Sequence, residues 1–276
     1  MGPGYARPVP RPERPTRHTP NRRTILAGLT GAAALTGCRG TTTTHTSPPA
    51  TTDGELTSAY WPGVKASWRI ARPSATPKAL VVALHGFGMD GPTMMDGLGL
   101  ADHVERTGLA IAAVSGGKAY WHKRRAGMDT GALVIHDFIP LAQRTTGVDP
   151  KTKVAFLGLS MGGYGSLLLG SDLGPDRVFG VVAESAALWI DPGTSAQAAF
   201  DDREDFLAHD VFARTDVLSR MPVRLDCGTS DPFIAANRAF AAKLPTAKAT
   251  FDKGAHRLDY WRSHASAQLD WLAALT

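Results

Sequence analysis

The sequence predicts an α/β fold: a mostly parallel central sheet, flanked on both faces by helices, with no large lid domain. Three observations predict it. Short continuous apolar runs alternate with stretches of helical spacing from residue 64 to the C-terminal end. Runs of that kind suit strands buried on both faces, which require helical crossovers. The residues with chemistry to offer stand just after those runs, where open α/β sheets bind ligands. One run ends in Gly158-Leu159-Ser160-Met161-Gly162, a G-x-S-x-G turn between a strand-like and a helix-like segment.

The chain begins with a basic leader. Residues 1–37 carry six arginines against Glu13, a net of +5, which leaves 24 basic and 24 acidic residues in the remainder. The basic balance therefore belongs to the leader, and charge gives no support to a nucleic-acid partner. Arg22 and Arg23 precede an apolar stretch from Ile25 to Leu35. That stretch is too short to span a bilayer and resembles a twin-arginine (Tat) export signal. Leu35-Thr36-Gly37-Cys38 resembles a lipobox, which implies cleavage before Cys38 and lipidation of its thiol. The protein is then expected outside the cytoplasm, tethered to the membrane by lipid, or secreted if the signal is cleaved without lipidation. Residues 38–54 are rich in Thr and Pro without apolar period and read as a tether. The catalytic domain is expected over 55–276.

Within that domain, strands are expected at 64–70, 79–86, 109–115, 153–160, 178–185, 222–228 and 248–252. Helices are expected at 92–106, 129–145 (kinked at Pro140), 161–171, 196–210, 233–243 and 259–274. Cys227 lies in an alternating apolar run and reads as a small buried residue; with Cys38 lipidated it has no disulfide partner. No Cys/His spacing suggests a zinc site, and no metal is expected.

The glycines around Ser160 answer a steric need. In a sharp strand-to-helix turn, side chains two places either side of the apex collide with the neighbouring strand and helix, and the apical hydroxyl projects over the sheet edge. A serine hydroxyl needs a base. Of His209, His256 and His264, only His256 falls in a loop directly after a strand, at the same sheet edge. The orienting acid should follow the preceding strand. Asp226 lies inside that strand; Asp231, in the loop after it, is the expected partner, with an N-cap as its alternative role. Glu184 is the reserve acid. The oxyanion donors are expected at the backbone N–H groups of Met161 and Phe87, with Gly86 and Gly88 shaping the loop and His85 bracing it. Gly86, Tyr120, Trp121 and Trp189 are the expected substrate contacts, packing being the other reading for the aromatics. Lys123, Arg124 and Arg125 could meet an anionic group.

Five segments in order, "LHGFG", "GLSMGGYGSL", "AESAALW", "CGTSDPF" and "GAHRLDYWR", resemble the esterase D-like family of α/β-hydrolases, which also contains secreted mycolyltransferases. The resemblance covers roughly residues 60–274. It implies the α/β-hydrolase fold, a triad of Ser160, Asp231 and His256, and cleavage of an ester, or acyl transfer, through a serine acyl-enzyme without cofactor. The substrate is expected to be a small-molecule, glycan or lipid ester. Acyl transfer to a sugar or lipid alcohol is an alternative, as is a noncatalytic surface lipoprotein that kept the fold. No propeller or large cap is available to select peptides; 186–220 is the candidate short cap.

Overall fold

The computed structural model describes residues 50–276. The twin-arginine leader, Cys38 and residues 38–49 of the expected tether lie outside the described residues. The tether also ends earlier than expected, because strand β1 runs Ala50–Thr57. It pairs antiparallel with β2, Lys65–Arg72, along its full length. This edge strand is mostly exposed, so backbone pairing rather than apolar alternation defines it, and its sequence "ATTDGELT" reads as linker. The Trp68 ring packs where a side chain at position 54 would stand, which suits Gly54.

The six remaining strands are β3 (Ala79–Leu84), β4 (Leu109–Val114), β5 (Val154–Leu159), β6 (Val178–Glu184), β7 (Val223–Gly228) and β8 (Lys248–Asp252). The sheet order is β1-β2-β4-β3-β5-β6-β7-β8. From β4 to β8 every pairing is parallel, while β1 and β2 are antiparallel. The central strands are buried throughout, and alternate residues feed two cores. Leu80, Val82, Leu84 and Phe156 face the core containing Trp121 and Phe138. Val81, Ala83, Leu157 and Leu159 face the core containing Met94, Trp261 and Leu269.

The helices that matter here are α1 (Gly91–Leu98), α2 (Ile139–Thr146), α3 (Met161–Leu173), α4 (Arg203–Ala208), α5 (Ile234–Lys243) and α6 (Leu258–Ala273). Three expected helices are corrected. The 92–106 segment stops at Gly99, which takes a left-handed conformation (φ 65°) and caps α1, and short turns follow it. The 129–145 segment widens to π-helical geometry over Leu133–Phe138, immediately before Pro140 enters the first turn of α2. A proline supplies no N–H and its ring crowds the preceding turn, so the wider turn accommodates it. The 196–210 segment is helical only over α4. No helix among the described residues is long and apolar enough to cross a membrane.

Candidate active site

β5 delivers Ser160 to the sheet edge, and α3 starts at the next residue. Ser160 has φ 54° and ψ −117°, a conformation that L-residues rarely adopt. The surroundings enforce it. Ser160 N–H donates to Glu184 O at 2.9 Å, and Ser160 O accepts from Tyr164 N–H at 3.1 Å and Ala187 N–H at 2.9 Å. A Cβ on Gly158 would stand 2.1 Å from Gly162 O, and one on Gly162 would stand 1.8 Å from Leu84 O. No side chain fits at either place.

Beyond the C-terminal ends of β7 and β8 lie Asp231 and His256. His256 Nε2 is 2.9 Å from Ser160 Oγ, and His256 Nδ1 is 2.8 Å from Asp231 Oδ2. An ionised carboxylate only accepts, so Nδ1–H donates to Asp231 and Nε2 is left to accept the Ser160 proton. Asp231 is buried, which by itself would raise its pKa. Hydrogen bonds from His256, the Phe233 N–H (2.8 Å) and the Ser185 hydroxyl outweigh burial and hold the carboxyl below its ordinary range. Phe233 and Trp261 confine the imidazole, their ring centroids 5.4 and 4.8 Å from its own.

The reserve acid is elsewhere. Glu184 ends β6 fully buried, with His264 Nδ1 3.7 Å from its Oε1. Burial, with the Asp226 charge beside it, pushes its pKa well above the usual carboxylate range. Asp226 is bound instead by Arg224 at 2.7 Å and Gln268 at 2.9 Å. Cys227 is buried as expected, and burial pushes its thiol up to about 12, so it is inert.

The 85–88 loop follows β3. A Cβ on Gly86 would stand 3.4 Å from Ser160 Cβ and 2.6 Å from Leu159 Cδ1, so this backbone runs against the serine. His85 braces it: Nε2 accepts from Gly116 N–H at 2.9 Å, which leaves Nδ1–H to donate to Gly86 O at 2.8 Å. Met161 opens α3, and no side chain caps the first N–H groups of that helix.

Phe87, Tyr120, Trp189, Phe233 and His256 form an arc of rings with successive centroids 5.4–6.2 Å apart. Tyr120 and Trp189 thus fit a wall beside the serine. Trp121 does not. It is wholly buried beneath the loop, with its ring against Gly116 and Gly165, and serves packing. The basic run is also corrected: Arg124 holds Asp201 at 2.9 Å and Arg125 pairs with Asp202, so neither awaits a substrate anion. Two contributors escaped sequence reading. Ser185 (φ 46°) accepts from Trp261 Nε1–H at 3.0 Å, and its hydroxyl is among the groups that lower the Asp231 pKa; Trp261 reads in the sequence as one more core tryptophan. Only the fold brings them behind the acid.

Residues 75–252 match the family described as serine aminopeptidase S33. The chain belongs to that family. It is a serine hydrolase on the α/β-hydrolase fold, and the resemblance to esterases of that superfamily expected from the motifs is borne out. No curated protein matches the chain. Among solved structures, a ferulic acid esterase is similar at 18% identity and TM-score 0.70, covering 82% of this chain and 99% of that one. The fluorophosphonate-binding serine hydrolase F of Staphylococcus aureus is similar at 16% identity and TM-score 0.71, with 82% and 99% covered. An S-formylglutathione hydrolase from Agrobacterium tumefaciens is similar at 15% identity and TM-score 0.69, with 82% and 95% covered. At these identities the likeness is one of fold.

Proposed function

We propose that this hydrolase is a carboxylic ester hydrolase working through Ser160, His256 and Asp231. The observation that carries the proposal is the unbroken hydrogen-bonded line from Ser160 Oγ through the imidazole to the Asp231 carboxylate, at 2.9 and 2.8 Å. His256 Nε2 takes the Ser160 proton as Oγ attacks the ester carbonyl. The negative oxygen is held by the N–H groups of Met161 and Phe87, each worth about 10²–10³ in rate. His256 then protonates the leaving alcohol, and water repeats the sequence on the acyl-enzyme. Asp231, held ionised, stabilises the imidazolium formed in each half. An alcohol in place of water would give acyl transfer.

The family description favours a second reading, an aminopeptidase. That activity needs a carboxylate free to receive an α-ammonium. The acidic groups facing the 119–125 loop are engaged, Asp201 and Asp202 by arginines and Asp205 by histidines. A panel of p-nitrophenyl esters of rising chain length beside aminoacyl p-nitroanilides decides. The ester reading expects turnover of the short esters and at least about a 100-fold preference over the anilides, a modest level of discrimination for a binding pocket. Faster anilide turnover removes it.

We further propose export and lipid anchoring through Cys38, on the support of the twin arginine and lipobox-like run. In an exporting bacterial host, an alkyne-palmitate label should enter the chain and be lost with Cys38→Ser. Equal labelling of both would contradict the anchor.

A further inference from the structure

Glu184 takes no part in the triad, yet it is wholly buried where β6 ends. It stands in parallel register with Asp226 of β7. Residues paired in this way turn their side chains to one face, so the two carboxyls share one side of the sheet. α6 covers that side with His264 and Gln268, four residues apart on one helix face. Asp226 Oδ2 accepts from Arg224 Nε at 2.7 Å and from Gln268 Nε2 at 2.9 Å. Among the described residues, both oxygens of Glu184, Oδ1 of Asp226 and Oε1 of Gln268 are buried without a hydrogen-bond partner.

With both carboxyls ionised, all of those atoms are acceptors and nothing else. Buried acceptors facing one another are costly. Charge points the same way. Two carboxylates on paired positions would face one guanidinium, which already donates to Asp226 Oδ2 and, through Nη1, to Ala267 O at 2.9 Å. His264 is the other basic group here, but its Nδ1 lies 2.9 Å from Tyr260 O against 3.7 Å from Glu184 Oε1, and its Nε2 faces Asp252 Oδ2 at 3.2 Å. Asp252, at the end of β8, adds a further negative charge, and the Tyr260 hydroxyl donates to it at 2.8 Å. The Cys227 thiol of β7 is neutral. One proton on Glu184 removes the conflict. It turns one acceptor into a donor, for Asp226 Oδ1 or Gln268 Oε1, and leaves one carboxylate against one guanidinium. Burial and the Asp226 charge act in the same direction.

We propose that Glu184 is a protonated carboxyl in the native enzyme through neutral pH, and that its neutral state positions the catalytic serine and histidine. Glu184 O accepts the Ser160 N–H at 2.9 Å, so the end of β6 sets the backbone of the serine. On α6, Trp261 stands one turn before His264, and its ring centroid is 4.8 Å from that of His256. Ionisation would put an uncompensated charge between these two supports and drive them apart. Glu184 is a positioning residue, since it touches no reacting atom.

The test is urea unfolding of the unaltered chain and of Glu184→Gln from about pH 5 to about pH 9. A group whose folded pKa is raised contributes fully below its unfolded value, and that contribution is lost as pH rises toward the folded value. The amide keeps the shape, still donates and does not titrate. The folded-to-unfolded ratio of Glu184→Gln should therefore gain on that of the unaltered chain by about tenfold per pH unit across that window. A purely structural role would give an offset independent of pH, and that result, or a gain in the opposite direction, overturns the assignment. Carbon-13 labelling of the glutamate carboxyls gives a second readout on the unaltered chain. The chain has five glutamates, Glu13, Glu55, Glu105, Glu184 and Glu204. One resonance should stay at the protonated position at neutral pH and be missing from Glu184→Gln. Should that variant fail to fold, the labelled unaltered chain decides alone, and five carboxylate resonances overturn the proposal. For positioning, kcat of the unaltered chain on p-nitrophenyl acetate should fall at the alkaline end while Glu184→Gln keeps it, and equal profiles overturn that role. This last measurement rests on the ester reading; the unfolding and carbon-13 measurements do not, so the two can fail separately.

Discussion

Ser160 occupies a backbone conformation that costs about 1–3 kcal/mol, and three backbone hydrogen bonds hold it there. The return is position: Oγ meets Nε2 at 2.9 Å without reorganisation. Asp231 depends on its surroundings in the same way. Its pKa is depressed, so its contribution to stability is present above the unfolded value and is lost as pH falls through the folded value. Ser185 supplies part of that depression. Ser185→Ala therefore raises the Asp231 pKa, moves the acid-unfolding midpoint to higher pH, and lowers kcat by about tenfold through a less well held imidazole. Acid titration by circular dichroism, with the pH–rate profile, checks this. An unmoved midpoint would mean that Ser185 only packs against Trp261.

At the level of elements, the strand-to-helix turn is closed by contact rather than by conformation alone. Gly162→Ala drives a methyl into Leu84 O, and Leu84 belongs to a central strand that cannot retreat. A loss above about 3 kcal/mol, or no soluble protein, is expected. Gly147 is the contrast: it caps α2 at φ 79° with open space around it, so Gly147→Ala meets only backbone strain of about 1–2 kcal/mol. Urea midpoints of the two variants check the ordering, and equal shifts would contradict it. The buried strands were legible because their composition is dictated by burial on two faces. β1 was not, since an exposed edge strand needs no apolar pattern. The three misjudged helices carry their own explanations in Gly99, Pro140 and the Asp202 N-cap, where local backbone rules overrode apolar spacing. Ser160, Asp231 and His256 could be chosen because each follows a strand. Tyr120 and Trp121 (φ 57° and 61°) form a strained turn that no composition signals, and Trp121 went to the core for that reason.

For the molecule as a whole, the sheet order brings the ends of β3, β5, β7 and β8 to one edge, so residues far apart in sequence share a site. Two cores clamp the sheet from opposite faces, and the 186–220 segment supplies aromatics to one side of the opening. The central claim is that this edge makes Ser160 a nucleophile. Labelling the folded protein with a fluorophosphonate and locating the adduct by peptide mass spectrometry tests it most directly. The account predicts one adduct per chain, on Ser160, abolished by Ser160→Ala and slowed by orders of magnitude in His256→Ala. Folded protein that leaves Ser160 unlabelled, or carries the adduct on another residue, would contradict it.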